Sequence, residues 1–428
     1  MEFRFVIRDD INVRARSLID LKYKDYKKED IARAVAFFID LISNIQDKKI
    51  AIGFGNISLL SMAFLLALHK SKREYILIYH NGHFNFDEHS GLYSHMFFTG
   101  ATNEFQKFEL KKFKEKNPNK ITFTDTQLIE RSAFSYHKND NLKFDYTGNR
   151  KVEVVLNNKL ELVYNSDEIE GSSIATAIDN YFHEDDYVVI MRPLQHFGVG
   201  TLSIFPAFFK VKNISLCPFL EDWQAEYHKA THIHIDIHMM NIGCNLPSKL
   251  RMLTSGGYNF NSECIEYVTS RSEIENIVDC FGTIFCPPPL AIRRLNAGET
   301  KFTWVNKFIK PTLVNNKLAF TTINGDIFEG ISTARNGKIV TSDIVTLDGD
   351  NFYFGGNVNK FIRMTHIRYP VIEFERFFKD KTGISDAEVI FEKIDGLDNP
   401  VIIVNSGDFY EASKLIAEFH IEAKLKSR

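Results

Sequence analysis

Residues Thr231–His238, THIHIDIH, alternate His232, His234, Asp236 and His238 with Ile233, Ile235 and Ile237. On an extended strand this puts four potential metal ligands on one face, with i and i+2 about 6–7 Å apart, so that neighbours could share an ion. The same alternation also fits a strand whose polar face walls a cleft, and both readings stand at this point. Asn324-Gly325-Asp326 follows the apolar run Leu318–Thr321. A carboxylate on a tight glycine turn there can accept hydrogen bonds from ligand hydroxyls or satisfy only its own backbone. His83-Phe84-Asn85-Phe86-Asp87-Glu88-His89 supplies further ligand-type side chains after a strand. Such loops can hold ligands, although a solvated loop is the simpler reading. The chain has no GxSxG, no HExxH and no Cys–His signature for nucleophilic catalysis.

The elements that must position these residues alternate between strand and helix. Up to Gln46 the sequence reads as an amphipathic, helix-rich entry, clearest over Ile31–Ile45. Lys49–Phe54 reads as a buried strand, Ile57–His69 as a helix and Glu74–Tyr79 as a second strand, a βαβ unit that implies a parallel sheet. The intervening GFGNIS turn has the glycines of a dinucleotide site. The second strand, however, ends without an acidic residue for a ribose, so a strand-to-helix turn capped by Asn56 or Ser58 is the better reading. Strands at Tyr187–Met191, Asn213–Leu216, Thr231–His238 and before Ser255-Gly256-Gly257 extend the α/β pattern. From Phe302 to Phe354 short strands predominate, with a hairpin turn at Asp348-Gly349-Asp350 and its return strand at Asn351–Phe354. A helix beginning near Pro370 then opens an αββα end.

At 428 residues, with 44% hydrophobic and 25% charged residues, the chain has the size and composition of a globular protein of two or three domains. Its formal net charge of -3 gives no electrostatic footprint for nucleic acid or an anionic membrane. The five cysteines lack any CxxC, which favours buried reduced thiols over a disulfide framework or zinc site. Without a signal-peptide pattern or a long apolar span, a cytoplasmic location is expected.

In this order of features the chain resembles the adenylate-forming superfamily of acyl-CoA synthetases and peptide-synthetase adenylation domains. Gly325-Asp326 lies over that family's (T/S)GD turn. Gly356–Arg363 lies over GRxDxxIK, while Arg368 and Glu373-Phe374-Glu375 lie over the R and EIE of the hinge motif. Pro193–Gly200 is similar to PLfHxxG, Ser255-Gly256-Gly257 to the glycine turn beside adenine, and Asp279–Phe285 to n-x-YGxTE. The resemblance implies an α/β fold with a large domain at 1–357 of stacked sheets, including a β-rich subdomain at about 302–357. A small, shortened α+β domain at 358–428 follows.

The same resemblance implies a role for each matching position. Ser255, Gly256, Gly257, Phe281, Gly282, Thr283 and Asp326 would bind the nucleotide, with Asp326 on the ribose. His196 and Phe197, together with His234 and His238 of the polar strand, would border the acyl group. His196, Lys360 and Arg363 would act in catalysis. The implied reaction joins a small carboxylic acid to AMP from ATP, with Mg²⁺, for transfer to coenzyme A, a carrier protein or an amine.

The departures fall on the phosphates. Phe285 stands where the family has a Mg²⁺-binding Glu, and a phenyl ring cannot ligate a hard cation. After the strand Leu160–Tyr164, where the resemblance expects a phosphate loop, the sequence reads Asn165-Ser166-Asp167-Glu168-Ile169-Glu170. Its carboxylates are expected to repel ATP, leaving only Gly171-Ser172-Ser173 to meet an anion. Asn357 and Asn359 replace the hinge Arg and Asp, and no PxxxxGK occurs. Three functions follow: a divergent adenylate-forming ligase, a ligand- or partner-binding protein that keeps the fold without the chemistry, and a metal-dependent enzyme using the His232/His234/Asp236/His238 strand. For the first, Arg293, Arg294, Lys360 and Arg363 are the available substitute cations.

Overall fold

A computed structural model gives the structure of the chain. It describes all residues except 1, 47–48, 55–56, 79–94, 100–110, 112, 119–120, 124–125, 157–158, 191–199, 218–219, 235–246, 248, 257–265, 267–269, 271–273, 275, 284, 297, 324–333, 358–359, 365–366, 395–396 and 419–420.

Two sheets form the larger part. In the first, Lys49–Phe54 pairs in parallel with Glu74–Ile78 and His95–Thr99, and the sheet extends through Ile121–Phe123 on one side and Val152–Leu156 on the other. Lys159–Tyr164 closes that edge antiparallel. Ile50, Ala51 and Ile52 are all buried, as in a strand covered on both faces. The helix Leu59–Lys70 follows and is buried from Leu59 to His69, so an apolar stripe is replaced by an apolar surface all round. Ser58 caps it by accepting from the Ser61 amide at 3.1 Å.

The second sheet has a parallel core, ordered Asn12–Arg16, Asn213–Leu216, Tyr187–Ile190, His232–His234, Met252–Gly256, Asn276–Thr283. It turns antiparallel at Cys286–Arg294 and continues through the β-rich strands between Phe302 and Asn357. Phe281, Phe302 and Phe352 pack this junction, with ring centroids 5.2–5.9 Å apart. The hairpin joining Lys338–Asp348 to Asn351–Asn357 turns at Gly349, whose φ of +62° lies in the left-handed region.

The helix-rich entry expected at the N-terminus is instead three strands, Arg4–Val6, Asn12–Arg16 and Tyr23–Lys27, before the helix Lys28–Ser43. Asn12–Arg16 has period two, with Val13 and Ala15 inward. Its outward arginines obscure that pattern in the sequence. Arg14 and Arg16 lie against the Tyr23 ring and pair with Glu226 and Asp222 from a distant helix.

Residues 361–428 have a separate core of Ile362, Phe374, Phe378, Ile402, Val404 and Leu415, among others. The helices Val371–Thr382 and Phe409–Glu418 flank the hairpin Glu388–Ile394/Leu397–Val404, close to the αββα expectation. Lys424–Ser427 adds a parallel strand that the sequence reading lacks. No helix among the described residues is long and apolar enough to cross a membrane. The side chains of Cys217, Cys280 and Cys286 are buried.

Candidate functional site

In a doubly wound sheet, ligands bind beyond the carboxyl ends of the parallel strands. Adjacent strands of the second sheet bring His234, Thr254, Ser255, Gly256, Phe281, Gly282 and Thr283 to that end. His234 lies opposite Thr254, and Gly256 opposite Cys280. His196, Phe197, Asp236, His238, Gly257 and Asp326 lie outside the described residues, as does the side chain of Arg363. Lys360 is exposed in the C-terminal part, with its ammonium 5.0 Å from the Phe391 ring centroid.

The two described glycines of this edge have neighbours that explain them without a ligand. A Cβ at Gly256 would lie 2.6 Å from the Cys280 carbonyl oxygen, and one at Gly282 would lie 2.6 Å from the Pro288 backbone. Phe281 is largely buried and sets its ring edge-on against Phe302 and Phe352. Thr283 uses its hydroxyl to accept from the Cys286 amide at 3.1 Å. Ser255 differs: its hydroxyl is buried and meets no hydrogen-bond partner among the described residues.

His232 and His234 are buried and share one hydroxyl. The Thr254 Oγ1 lies 3.2 Å from His232 Nε2 and 2.8 Å from His234 Nδ1. Burial lowers the His232 pKa to about 3, against the attraction of Asp186, and the ring packs 4.5 Å from Phe182. Among the described residues no three potential ligands gather around a metal position. The described half of the THIHIDIH strand is therefore a polar stripe inside the sheet, tied by a threonine that the sequence reading did not single out. Thr254 lies two residues before Gly256, on the face shared with His234, so period two was the signal available.

The expected acidic loop is absent. The helix starts at Asp167, with two residues between it and the strand ending at Tyr164, and Ser166 is its N-cap, accepting from the Glu168 amide at 3.2 Å. Asp167 and Glu170 do not face outward to repel an anion, because both are buried against Arg150. Arg150 Nε donates to Asp167 at 2.6 Å, and Nη2 donates to Glu170 at 2.7 Å and to His69 Nδ1 at 3.2 Å. Lys72 adds a second cation on Asp167 at 2.8 Å. Two cations thus meet two carboxylates, and burial, reinforced by Arg150, holds His69 neutral well below its ordinary pKa. Ser172 and Ser173 lie within the helix, where their hydroxyls donate to the carbonyls of Ile169 and Pro287. They are not an anion site.

Phe285 sits in the turn between two strands and packs on the main hydrophobic core, so it gives Mg²⁺ no oxygen. The residues at this position do not fit the ion. Arg293, a candidate substitute cation, donates to buried Asp279 at 2.8 Å and stacks on Phe302, which fixes it inside the sheet.

No family model and no curated protein matches this sequence. The architecture, two packed α/β sheets with a β-rich extension and a small C-terminal α/β part, is that of the adenylate-forming enzymes. The amide bond synthetase McbA from Marinactinospora thermotolerans superposes with a TM-score of 0.67 at 13% identity, over 98% of this chain and 94% of that one. The o-succinylbenzoate coenzyme A synthetase of Bacillus subtilis, solved in complex with AMP, gives 0.64 at 12% identity over 99% and 92%. A fatty acyl CoA synthetase of Mycobacterium tuberculosis gives 0.64 at 13% over 95% and 89%.

Proposed function

We propose that this protein is a divergent adenylate-forming ligase, which activates a small carboxylic acid with ATP to an acyl-adenylate and passes the acyl group to a thiol or amine. The observation that carries this reading is the match of fold over nearly the whole chain to enzymes of that type, the C-terminal part included. In this reading the chain divides at about 357/358. The acyl group lies at the carboxyl edge of the second sheet near His196, Phe197, His234 and His238. Ser255 to Gly257 and Phe281 to Thr283 line the adenine, and Asp326 takes the ribose hydroxyls. Lys360 and Arg363 supply positive charge from the C-terminal part, since Arg293 is already paired. No step is assigned to Mg²⁺.

A second reading has its own observation. The buried Arg150–Asp167–Glu170 cluster occupies the connection where the resemblance expects a phosphate loop. Loss of charge stabilisation at a transferring phosphoryl group commonly costs several kcal/mol of barrier. On this reading the protein binds an adenylate, an acyl group or a carrier partner without making the adenylate. Pyrophosphate release measured with ATP and a panel of carboxylic acids separates the two. Release with at least one acid supports the ligase. No release with any acid, alongside calorimetric binding of AMP or a non-hydrolysable acyl-adenylate mimic, overturns the ligase in favour of the binding protein.

A further inference from the structure

The polar stripe of the second sheet continues beyond the two histidines. Asp186, at the amino end of the strand Tyr187–Ile190, is buried and accepts from four donors: the His183 amide at 2.8 Å, Thr231 Oγ1 at 2.9 Å, and Arg251 Nε and Nη2 at 3.1 and 2.6 Å. Burial disfavours its charge. The Arg251 and His183 hydrogen bonds overcome that penalty and hold the carboxyl below its ordinary pKa, so it is a fixed anion. His232 Nδ1 faces it at 4.0 Å and meets no hydrogen-bond partner among the described residues.

We infer that Asp186, His232 and Thr254 form a positioning relay that holds His234 with its proton on Nδ1 at the carboxyl edge of the sheet. The reasoning follows the protons. A buried ring nitrogen near a carboxylate carries a proton more readily than a lone pair, so the single proton of His232 sits on Nδ1. Its Nε2 is then an acceptor, and the partner within reach is the Thr254 hydroxyl at 3.2 Å. The other contact of that hydroxyl, the Ile233 carbonyl, is longer at 3.5 Å. Having given its one proton to His232, Thr254 Oγ1 can only accept at 2.8 Å from His234, which places the His234 proton on Nδ1. The Nε2 of His234 carries the lone pair, so whatever meets it, protein or ligand, must donate. A carboxylic acid recognised at this edge therefore meets an imidazole of fixed tautomer and orientation. That consequence for the acid rests on the proposed function, whereas the tautomer does not.

Long-range ¹H–¹⁵N spectra of the full-length protein with ¹⁵N-labelled histidine test the relay directly, with His232→Gln and His234→Gln used to assign the signals. The expected result is an Nδ1–H tautomer for both His232 and His234 at pH 7. Thr254→Val moves the His234 signals toward the Nε2–H or mixed form, and Thr254→Ser restores them. An Nε2–H tautomer for His234 in the unaltered protein overturns the inference, a reading that needs the Gln variants only for assignment. A Thr254→Val protein with unchanged His234 signals overturns it equally. Neither outcome depends on pyrophosphate release, so the relay and the proposed reaction stand or fall separately.

Discussion

Arg150 donates from Nε to Asp167 at 2.6 Å, with side-chain exposures of 0% and 2%. The pair fastens the strand that begins at Val152 to the first turn of the helix Asp167–Tyr181. It converts a sequence that reads as an acidic, anion-repelling loop into an interior joint.

A buried pair of this kind is sensitive to the loss of one partner. Arg150→Met leaves Asp167 and Glu170 without their main cation, and is expected to destabilise the protein by about 3–5 kcal/mol. Adding Asp167→Asn and Glu170→Gln to it should recover part of that loss, because the stranded charges go with the cation. Urea denaturation of the single and triple variants checks this. A loss below about 1 kcal/mol in the single variant, the size of a surface pair, contradicts the structural role given to Arg150.

Two buried neutral histidines are expected to contribute to the acid side of the stability profile. His69 and His232 both have pKa values depressed from an ordinary 6.5, chiefly by burial. Below 6.5 the unfolded chain takes up protons that the folded chain refuses, so this contribution is complete above that pH and is lost as the pH falls toward the folded values. Each histidine contributes a slope of about 1.4 kcal/mol per pH unit in that window. Denaturation midpoints should fall between pH 6.5 and 4.5, and a His232→Gln variant should have a shallower decline. A profile that is flat over this range contradicts the assignment.

Gly256 and Gly282 are held small by neighbouring backbone. Gly256→Ala or Gly282→Ala forces a methyl to within 2.6 Å of Cys280 or Pro288, respectively. Overpacking against backbone commonly costs about 1–3 kcal/mol, which should be read as a lowered thermal midpoint for each variant. If Gly256 is small only to admit a ligand, its alanine variant keeps full stability and loses nucleotide affinity instead.

If the proposed function holds, the residues standing where phosphates would lie lead to a ligand preference. The buried cluster offers no unpaired anion site at Asp167–Ser173, and Phe285 offers no ligand to a cation. AMP should therefore bind at least as tightly as ATP. Mg²⁺ should change ATP affinity by less than about tenfold, or 1.4 kcal/mol. Calorimetric titrations with and without a chelator measure both. A strong Mg²⁺-dependent preference for ATP would mean that residues outside the described set hold the triphosphate.

Much of the frame was legible in the residues alone. The apolar runs Lys49–Phe54 and Ile57–His69, the Asp348–Asp350 hairpin and the helical spacing after Pro370 each record a local demand, whether burial on both faces, a left-handed turn or one apolar stripe. Local demands are written within a few residues of where they act. The order of motifs also pointed to the adenylate-forming architecture. What the sequence could not reveal is which polar groups cancel one another. Arg150 finds Glu170 across 20 residues, and Arg16 finds Asp222 across 206. Thr254 joins two histidines on the neighbouring strand. Charge pairing and shared hydrogen bonds depend on distances set by the whole fold. The tertiary structure alone therefore turned three expected repelling carboxylates into a helix start with two of them neutralised, and the first half of THIHIDIH into a threonine-linked stripe inside the sheet.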